Sequence, residues 1–480
     1  DAVLAVIEAD AGDLLASLSP AELLQRLDRC PVEALQRHPL AILVLMRRMF
    51  TWQQIPKMME LKALLEAAVA QHPEWPATER GNLLGECDLI QSFLFYNDIT
   101  QMSRLHRSAS RQMSRPAVTL RNSGSWTFGS PSVLMMYYRA PGELGKELAE
   151  MYECMPHYYK ITNGHGRGAE LLMDAEAAYL QGAWEKAAVL LERARADAAG
   201  QENMTLCCDF LALRLALCGK GKEGYDFAAK RAALLQKHDG VQVHLLESIA
   251  AYFYALQGRP EQAPELFREH KLAEVSFFGP CRPMMSLIEQ QVWLAQGEYV
   301  KVIAHSEGLL RRCEAMHYGL VGLQARIQLA AAQLRFGQRA EARAALAAAL
   351  LDAVQDDFWV LFVEQYPALA PLLEGEDWAV CEPRLGPFVA RILPAGRAFA
   401  ARLGLPAPAP ELPLTDRDRE LARLVAGRCT NKEIAAALYL SEGTVKQYIN
   451  QLYAKLDMGG DPRTRRARLA EWYQKNAPRN

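Results

Sequence analysis

Five glycines recur through the middle of the chain at nearly equal distances. They are Gly182 in LQGAWEKA, Gly219 in LCGKGKEG, Gly258 in LQGRPEQA, Gly297 in AQGEYVKV and Gly337 in RFGQRAEA. Subtracting these positions gives spacings of 37, 39, 39 and 40 residues, with apolar residues at helical spacing on both sides of each glycine. A fixed period of this size is typical of helix pairs that bury their apolar faces only by stacking on neighbouring pairs. We therefore predict an all-α superhelix of repeats, with each of these glycines at a turn between helices.

Helical patterns extend beyond these repeats in both directions. The helices predicted outside the repeats span 1–16, 20–27, 39–46, 55–71, 79–99, 357–373 and 384–402. Between residues 103 and 168 the helical pattern stops, and we predict an irregular insertion there. The copies themselves resemble tetratricopeptide repeats, although their period exceeds the ~34 residues usual in that family.

Four segments follow from these patterns. They are an N-terminal helical region at 1–167 with an irregular insertion near 103–167, signal-receiving TPR-like repeats at 168–403, a proline-rich linker at 404–413 and a C-terminal domain at 414–480. The linker contains GLPAPAPELP, in which alternating proline favours an extended, semi-rigid spacer. We therefore expect the C-terminal domain to be separate from the repeats.

Aromatic residues are concentrated in the irregular insertion. We predict that Trp126, Tyr137, Tyr138 and Tyr158 line a ligand-binding pocket, because aromatic walls with a few placed polar groups are typical of such sites. An insertion that packs on the repeats for structural reasons alone would have the same composition. Both interpretations stay open at this point.

Three helix starts lie close together between residues 414 and 456. Thr415, Thr430 and Ser441 each place a hydroxyl where the first free backbone N–H groups of a helix need an acceptor. Apolar residues at helical spacing follow each start, and Leu440 is placed to pack against Val445 four positions into the third helix. Three short helices around one small core, with a turn fixed in this way, predict a helix-turn-helix.

The outer face of the third helix predicts what this unit binds. Lys446, Gln447 and Asn450 point away from the apolar stripe, and such side chains read base edges in a DNA major groove. Residues at the helix ends and flanks are suited to phosphates. The predicted DNA-binding residues are Asn431, Lys432, Thr444, Val445, Lys446, Gln447, Asn450 and Lys455.

This stretch resembles the LuxR-type DNA-binding domain. The resemblance lies in the opening LTDRDRE, the second helix TNKEIA, and a third helix that begins at Ser441, contains TVK and ends in KL. Softer similarity to large LuxR-type regulators lies in WTFGSPS, CMP and NGHGRG. In the MalT-like class a nucleotide-binding domain comes first, helical repeats follow and a LuxR-type domain comes last, and the middle and end match here.

The resemblance implies a bacterial, cytoplasmic transcription regulator, an activator, whose C-terminal domain is a four-helix LuxR-type unit. Its expected partners are double-stranded promoter DNA, RNA polymerase, a second copy of the chain on DNA, and a small-molecule or protein effector that the repeats receive. Binding of that effector is expected to control how the C-terminal units pair on DNA.

Composition narrows the remaining classes of function. The net charge of the chain is −2, but residues 411–480 carry 13 Lys/Arg against 9 Asp/Glu, which leaves +4 there and −6 elsewhere. The 10 cysteines include no C-x-x-C pair, which is the usage of a reducing, cytosolic compartment. No apolar run approaches the ~20 residues that a bilayer requires, so no membrane contact is expected.

No motif for catalysis or cofactor binding is present in the sequence. It lacks G-x-x-x-x-G-K-[ST], G-x-S-x-G and H-E-x-x-H, and His157 and His165 lack a third metal ligand. We therefore predict no enzyme activity, metal or cofactor. Two alternatives remain: the C-terminal part of a longer ATP-dependent (STAND-type) regulator, which the start at Asp1 without methionine favours, and a repeat scaffold whose terminal domain binds protein.

Overall fold

The computed structural model describes residues 1–12, 15, 18–120, 124–221, 224–237, 240–275, 277–405, 416–456, 458 and 462–476. Across these residues the secondary structure is helical and contains no strand, which confirms the all-α prediction. The chain divides into two compact units. Unit 1 comprises residues 1–253, 261–289 and 312–322, and unit 2 comprises residues 254–260, 290–311 and 323–480.

The N-terminal part of the chain forms nine α-helices among the described residues. They are α1 Ala2–Ala9, α2 Pro20–Asp28, α3 Val32–Gln36, α4 Pro39–Thr51, α5 Ile55–Gln71, α6 Ala77–Ser92, α7 Ile99–Gln112, α8 Val133–Tyr137 and α9 Leu144–Thr162. Helix α4 lies in the core, where Ile42, Leu43 and Leu45 are each 0% exposed. A helix that is apolar on nearly all sides is stable only when neighbours surround it.

The repeat region follows directly. Its helices are α10 Ala169–Leu180, α11 Trp184–Asp197, α12 Glu202–Leu217, α13 Phe227–Gln236, α14 Gly240–Leu256, α15 Glu265–Arg268, α16 Arg282–Ala295, α17 Tyr299–Ala315, α18 Gly319–Arg335 and α19 Arg339–Ala353. All five predicted turn glycines lie between or just after these helices with φ from +67° to +89°, which only glycine adopts at little cost. The predicted position of each turn is confirmed.

The remaining helices complete unit 2. They are α20 Val360–Glu364, α21 Tyr366–Leu373, α22 Leu385–Arg402, α23 Asp416–Ala426, α24 Asn431–Leu438, α25 Glu442–Lys455 and α26 Pro462–Asn476. The single helix predicted over 357–373 is in fact two, because Pro367 lies in the first turn of α21 and provides no N–H to continue α20. Residues 406–413 of the predicted proline-rich linker, and Thr415, lie outside the described residues.

The prediction of an irregular insertion over 103–167 is wrong for two stretches of it. Residues 103–112 belong to α7 and residues 144–162 to α9, two long helices that pack against each other. The polar residues of α7 form its outer face or bind residues of α9. Arg107, for example, binds Glu150 at 2.7 Å and Glu153 at 2.5 Å. Ion pairs between helices distant in sequence stabilise a segment whose local pattern indicates no helix.

The part that is irregular, between α7 and α8, is held by buried polar side chains. The backbone amides of Trp126 and Thr127 both donate to Asn203 Oδ1, at 3.0 and 3.2 Å. At the start of α8 the amide of Leu134 donates to Glu176 Oε2 at 2.7 Å. Because buried backbone groups outside helices need such partners, the repeat helices α10 and α12 fix the path of this segment.

Glu176 should make the stability of unit 1 depend on pH. The carboxyl is 2% exposed, and burial raises its pKa from 4.5 to about 7. The folded state therefore holds an extra proton between these pH values, so the stabilisation that the neutral carboxyl provides is lost as pH rises through this window. Glu176→Gln keeps an oxygen for the Leu134 amide and carries no charge.

Relative to wild type, the free energy of unfolding of Glu176→Gln in urea should rise by roughly 1–3 kcal/mol between about pH 5 and about pH 8. The exposed Glu185→Gln variant is the control and should show no such rise. An equal difference from wild type at both pH values would contradict the assignment.

Candidate functional site

The C-terminal domain is built around one small core. Helices α23 to α26 contribute to it, and its buried residues include Leu421, Ile434, Val445, Leu452 and Leu469. Leu440 and Leu456 pack against the same cluster from the turn and from the end of α25. The predicted shared core and the predicted contact of Leu440 with it are both present.

The predicted caps fix the starts of the two central helices. At α24 the Glu433 amide donates to Thr430 Oγ1 at 3.2 Å, and the Thr430 amide donates to Glu433 Oε2 at 2.6 Å, so the capping box is complete. At α25 the Thr444 amide donates to Ser441 Oγ at 3.1 Å. Between the two helices Tyr439 adopts a left-handed conformation with φ of +55°, which reverses the chain within a short turn.

The outer face of α25 is free within the described residues. Lys446, Gln447 and Asn450 are all exposed. Successive residues of a helix are about 100° apart, so these three side chains fall within one arc of about 100°. Gly443 and Ala454 continue this exposed stripe at either end, and neither has a long side chain to keep a bound surface at a distance. We call the surface formed by Lys446, Gln447 and Asn450 the reading face.

Three further predicted residues border the turn between α24 and α25. Lys432 is exposed in the first turn of α24. Asn431 Oδ1 accepts a hydrogen bond from Arg466 Nη1 at 2.9 Å, which joins α26 to the start of α24. Thr444 Oγ1 lies 2.8 Å from Ser441 Oγ and belongs to the cap. Of these three, only Lys432 presents a charged group to an approaching phosphate.

Two residues of the predicted DNA-binding set are placed where they serve the fold instead. Val445 is 0% exposed in the core. The Lys455 side chain is 3% exposed, and its Nζ binds Asp418 Oδ2 at 2.6 Å, which ties the end of α25 to α23. The apolar stripe of α25 already places Val445 inward, but nothing in the local sequence indicates the partner of Lys455, which lies 37 positions earlier.

The side of α25 opposite the reading face contacts the end of α18, within unit 2. The Tyr448 ring lies edge-on to Phe336 with centroids 6.3 Å apart, and the Lys455 ammonium lies 5.9 Å from the centroid of the same ring. Around this contact is a groove of about 410 Å³, lined among others by Tyr299 and Arg417. We predicted a C-terminal domain separate from the repeats, which does not include this contact. Nothing in the sequence around Phe336 indicates it.

The predicted effector residues divide into two groups. Trp126, Tyr137 and Tyr158 line one cavity in unit 1. Tyr138 does not line it. Its side chain is 0% exposed, and its backbone oxygen accepts a hydrogen bond from the Gly319 amide at 3.0 Å. Tyr138 is therefore a core residue, and the cavity brings the other three aromatic residues together.

The segments WTFGSPS and NGHGRG meet at this cavity. His165 Nε2 donates to the Gly124 carbonyl at 3.1 Å, and the Trp126 indole packs on Gly166 so closely that a Cβ there would meet its ring at 2.1 Å. Gly166 has a φ of +73°, so both its backbone and its lack of a side chain are required. Two stretches about 40 residues apart thus form one wall.

Sequence reasoning missed Arg47, His106 and Ser125, which line the same cavity. His106 and Ser125 carry no pattern that marks them. Arg47 does have a signal, since it interrupts the apolar run LAILVLM of α4 and a charge at the end of a core helix calls for a partner. Among the described residues no group of three or more His, Cys, Asp or Glu side chains is arranged to hold a metal ion.

Comparisons with known proteins identify the C-terminal domain. Residues 412–464 match the family described as "Bacterial regulatory proteins, luxR family", so this domain is a luxR-family domain. The chain is 41% identical over 75 residues to the uncharacterized transcriptional regulatory protein YvfU of Bacillus subtilis, covering 16% of this chain and 36% of that protein.

Two further relatives match the same domain. The DNA-binding transcriptional activator DevR/DosR of Mycobacterium tuberculosis is 42% identical over 65 residues, covering 14% of this chain and 29% of that protein. The transcriptional regulatory protein DesR of Bacillus subtilis is 46% identical over 46 residues, covering 10% and 23%. The chain thus spans about a third or less of the length of these curated relatives. No solved structure matches the chain.

The helical region ahead of this domain is consistent with the MalT-like class. No helix in the described part of the chain is both long and apolar enough to cross a membrane.

Lys455 and Lys432 should respond differently to substitution. Lys455→Ala removes the ammonium partner of Asp418 inside the domain and should lower its free energy of unfolding by roughly 1–3 kcal/mol, with the salt dependence of DNA affinity unchanged. Lys432→Ala should leave stability within about 0.5 kcal/mol and reduce the salt slope by about 1. Thermal unfolding and DNA titrations at several salt concentrations measure both effects. A reduced slope at unchanged stability in Lys455→Ala would show instead that Lys455 contacts phosphate.

Proposed function

We propose that this chain is a DNA-binding transcription regulator that reads double-stranded promoter DNA with α25 and receives a chemical signal in unit 1. The observation that carries the first part is the exposed reading face on a luxR-family domain. The relatives of that domain are named as transcriptional regulators, and one as a DNA-binding transcriptional activator.

The chemistry of the reading face supports sequence-specific binding. The amide groups of Gln447 and Asn450 each offer a donor and an acceptor, the pair that adenine presents in the major groove, and the Lys446 ammonium donates to guanine O6 and N7. The start of α24, with its free backbone N–H groups and Lys432, adds a site for a phosphate beside the groove. Contacts with phosphate are thus assigned to α24, and contacts with base edges to α25.

Two copies acting together follow from the size of the domain. One α25 offers three reading side chains, a small contact area that gives limited affinity for a specific site. Two linked domains on adjacent half-sites gain affinity without any new kind of contact. We infer that the chain acts as a pair on DNA and that it activates transcription through contact with RNA polymerase. The relative DevR/DosR is named a transcriptional activator, which supports the activating role.

A signal received in unit 1 is the second part of the proposal. The cavity in unit 1, with three of the predicted aromatic residues in its wall, favours a small molecule over a protein effector, since its free space is far too small for a protein surface. The sequence contains no phosphate-binding G-x-x-x-x-G-K-[ST] loop, so ATP-dependent switching is not part of the function proposed for these residues.

The reading face is tested by the triple variant Lys446→Ala, Gln447→Ala and Asn450→Ala. A preferred duplex is first obtained by selection from random DNA with the wild-type chain. Each lost base contact is worth roughly 1–3 kcal/mol of discrimination, so the variant should bind preferred and random duplexes with nearly equal affinity. Titrations by fluorescence anisotropy with both duplexes measure this.

Lys220→Ala, at an exposed lysine outside the domain, is the control and should keep the preference. An unchanged preference in the triple variant would exclude the assigned face. Wild-type chain that binds no DNA, or binds it without dependence on salt, would favour the repeat scaffold instead.

A further inference from the structure

Arg47 carries a charge in unit 1 for which the described residues provide no acidic partner. It lies near the end of α4, with its guanidinium carbon 4.7 Å from the ring centroid of Phe93 and 5.4 Å from that of Phe50. No carboxylate of the described residues pairs with it. Desolvation by burial lowers the pKa of Arg47 to about 10, so the guanidinium still carries its charge near neutral pH. A charge without a partner in such surroundings is costly and calls for an anion.

Arg47 lines the cavity whose wall also includes Trp126, Tyr137 and Tyr158. The histidines there are already engaged. His165 donates from Nε2 to the Gly124 carbonyl and accepts at Nδ1 from the Tyr158 hydroxyl at 2.7 Å. Burial lowers the pKa of His165 to about 4, so it is neutral and has no donor to spare.

His106 is engaged in the same way. Ser92 Oγ donates to the Leu89 carbonyl and therefore accepts from His106 Nε2 at 2.9 Å, while Nδ1 lies 3.2 Å from Cys154 Sγ. Burial lowers the pKa of His106 to about 3. The donors left for a ligand include the Arg47 guanidinium and the hydroxyl of Ser125, whose buried Oγ has no hydrogen-bond partner in the described structure.

The free space beside Arg47 is small, about 20 Å³, which is room for roughly one water-sized group. A phosphate with its four oxygens and two charges is poorly matched to so little space and a single arginine. A carboxylate is planar, carries one charge and accepts two parallel hydrogen bonds from a guanidinium. The charge of Arg47 therefore suits the head group of an organic acid, for which the space must widen beyond its present volume.

A second, larger cleft lies on the other side of Phe128. Its volume is about 450 Å³, and its wall is mainly apolar, with Trp52, Leu245, Phe277 and Phe278 among its residues. This volume is within the range of small-molecule sites, roughly 300–1,000 Å³. Phe128 lines both spaces, so the two meet at this residue.

The conformation of Phe128 is unusual for a wall residue. Its φ is +54°, in the left-handed region that a bulky residue rarely occupies, and Gly129 follows at +98°. The ring packs against Phe278 with centroids 5.1 Å apart and against Phe50 at 6.4 Å. Strain of this kind persists where the surroundings fix it, and it concentrates at ligand sites.

We propose that the two spaces form one binding site for a small monocarboxylic acid with an apolar body. The carboxylate binds Arg47 and the hydroxyl of Ser125, the body occupies the apolar cleft, and the Phe128 ring moves aside to join the two spaces. The proposal rests on the function proposed above in one respect, because it names the chemical class of the signal that unit 1 receives. Binding itself is independent of DNA and is tested without it.

Three probes separate the parts of this proposal without any variant. Phenylacetate carries both an apolar ring and a carboxylate, phenylacetamide has the same shape without the charge, and acetate is the head group alone. Isothermal titration of the full chain near neutral pH should show phenylacetate binding at least about tenfold tighter than either of the others. Equal affinity for phenylacetate and phenylacetamide would overturn the role of Arg47. Acetate binding as tightly as phenylacetate would overturn the role of the cleft.

Variants then locate the site. Arg47→Met should abolish the preference of the chain for phenylacetate over phenylacetamide, and the variant without ligand should be at least as stable to heat as wild type, since an uncompensated charge is gone. Arg104→Met, at an exposed arginine of α7, is the matched control and should keep the preference. A preserved preference in Arg47→Met, or a loss in Arg104→Met as well, would contradict the site.

If none of the probes binds, the ligand class is wrong, while selective DNA binding by the same preparation would leave the regulatory function standing. If phenylacetate binds but the chain does not bind DNA selectively, the proposed function is wrong and the binding site still stands.

Discussion

The described α-helices each bury side chains against their neighbours, and that packing depends on the backbone reversing sharply between consecutive helices. The reversal at each repeat is made by a glycine with positive φ, such as Gly182 or Gly337. A side chain there would strain the turn and displace the following helix. Since a helix pair of this kind is not stable alone, the stack and everything held by it depend on these turns.

The irregular segment between α7 and α8 depends on that stack directly. It has too little regular structure to provide hydrogen-bond acceptors for its own backbone amides. Asn203 and Glu176 on the repeat helices accept hydrogen bonds from these amides instead. The segment in turn places Trp126 and Phe128 beside Arg47. An arginine without an acidic partner lowers the stability of the folded chain. The packing of the segment on the repeat helices holds the cavity in place despite this cost.

Local signals in the sequence account for the parts of the structure that were predicted correctly. The caps at Thr430 and Ser441 and the five glycine turns each depend on residues within a few positions of one another. Features decided by distant partners were not predictable. The ion pairs of Arg107 join α7 to α9, more than 40 positions away in the sequence, and Asp418 withdraws Lys455 from solvent. The Arg47 cavity is assembled from separate helices and a loop, so no single stretch of sequence carries its pattern.

We propose that an acid bound in unit 1 changes the affinity of the reading face on α25 for DNA. The most direct test is the affinity of the full chain for its preferred duplex, measured with and without saturating phenylacetate. Coupled sites typically change each other's affinity by roughly 5- to 150-fold, and the account predicts a change of that order in wild type and none in Arg47→Met. Phenylacetate that binds the chain and leaves the affinity for DNA unchanged would contradict it.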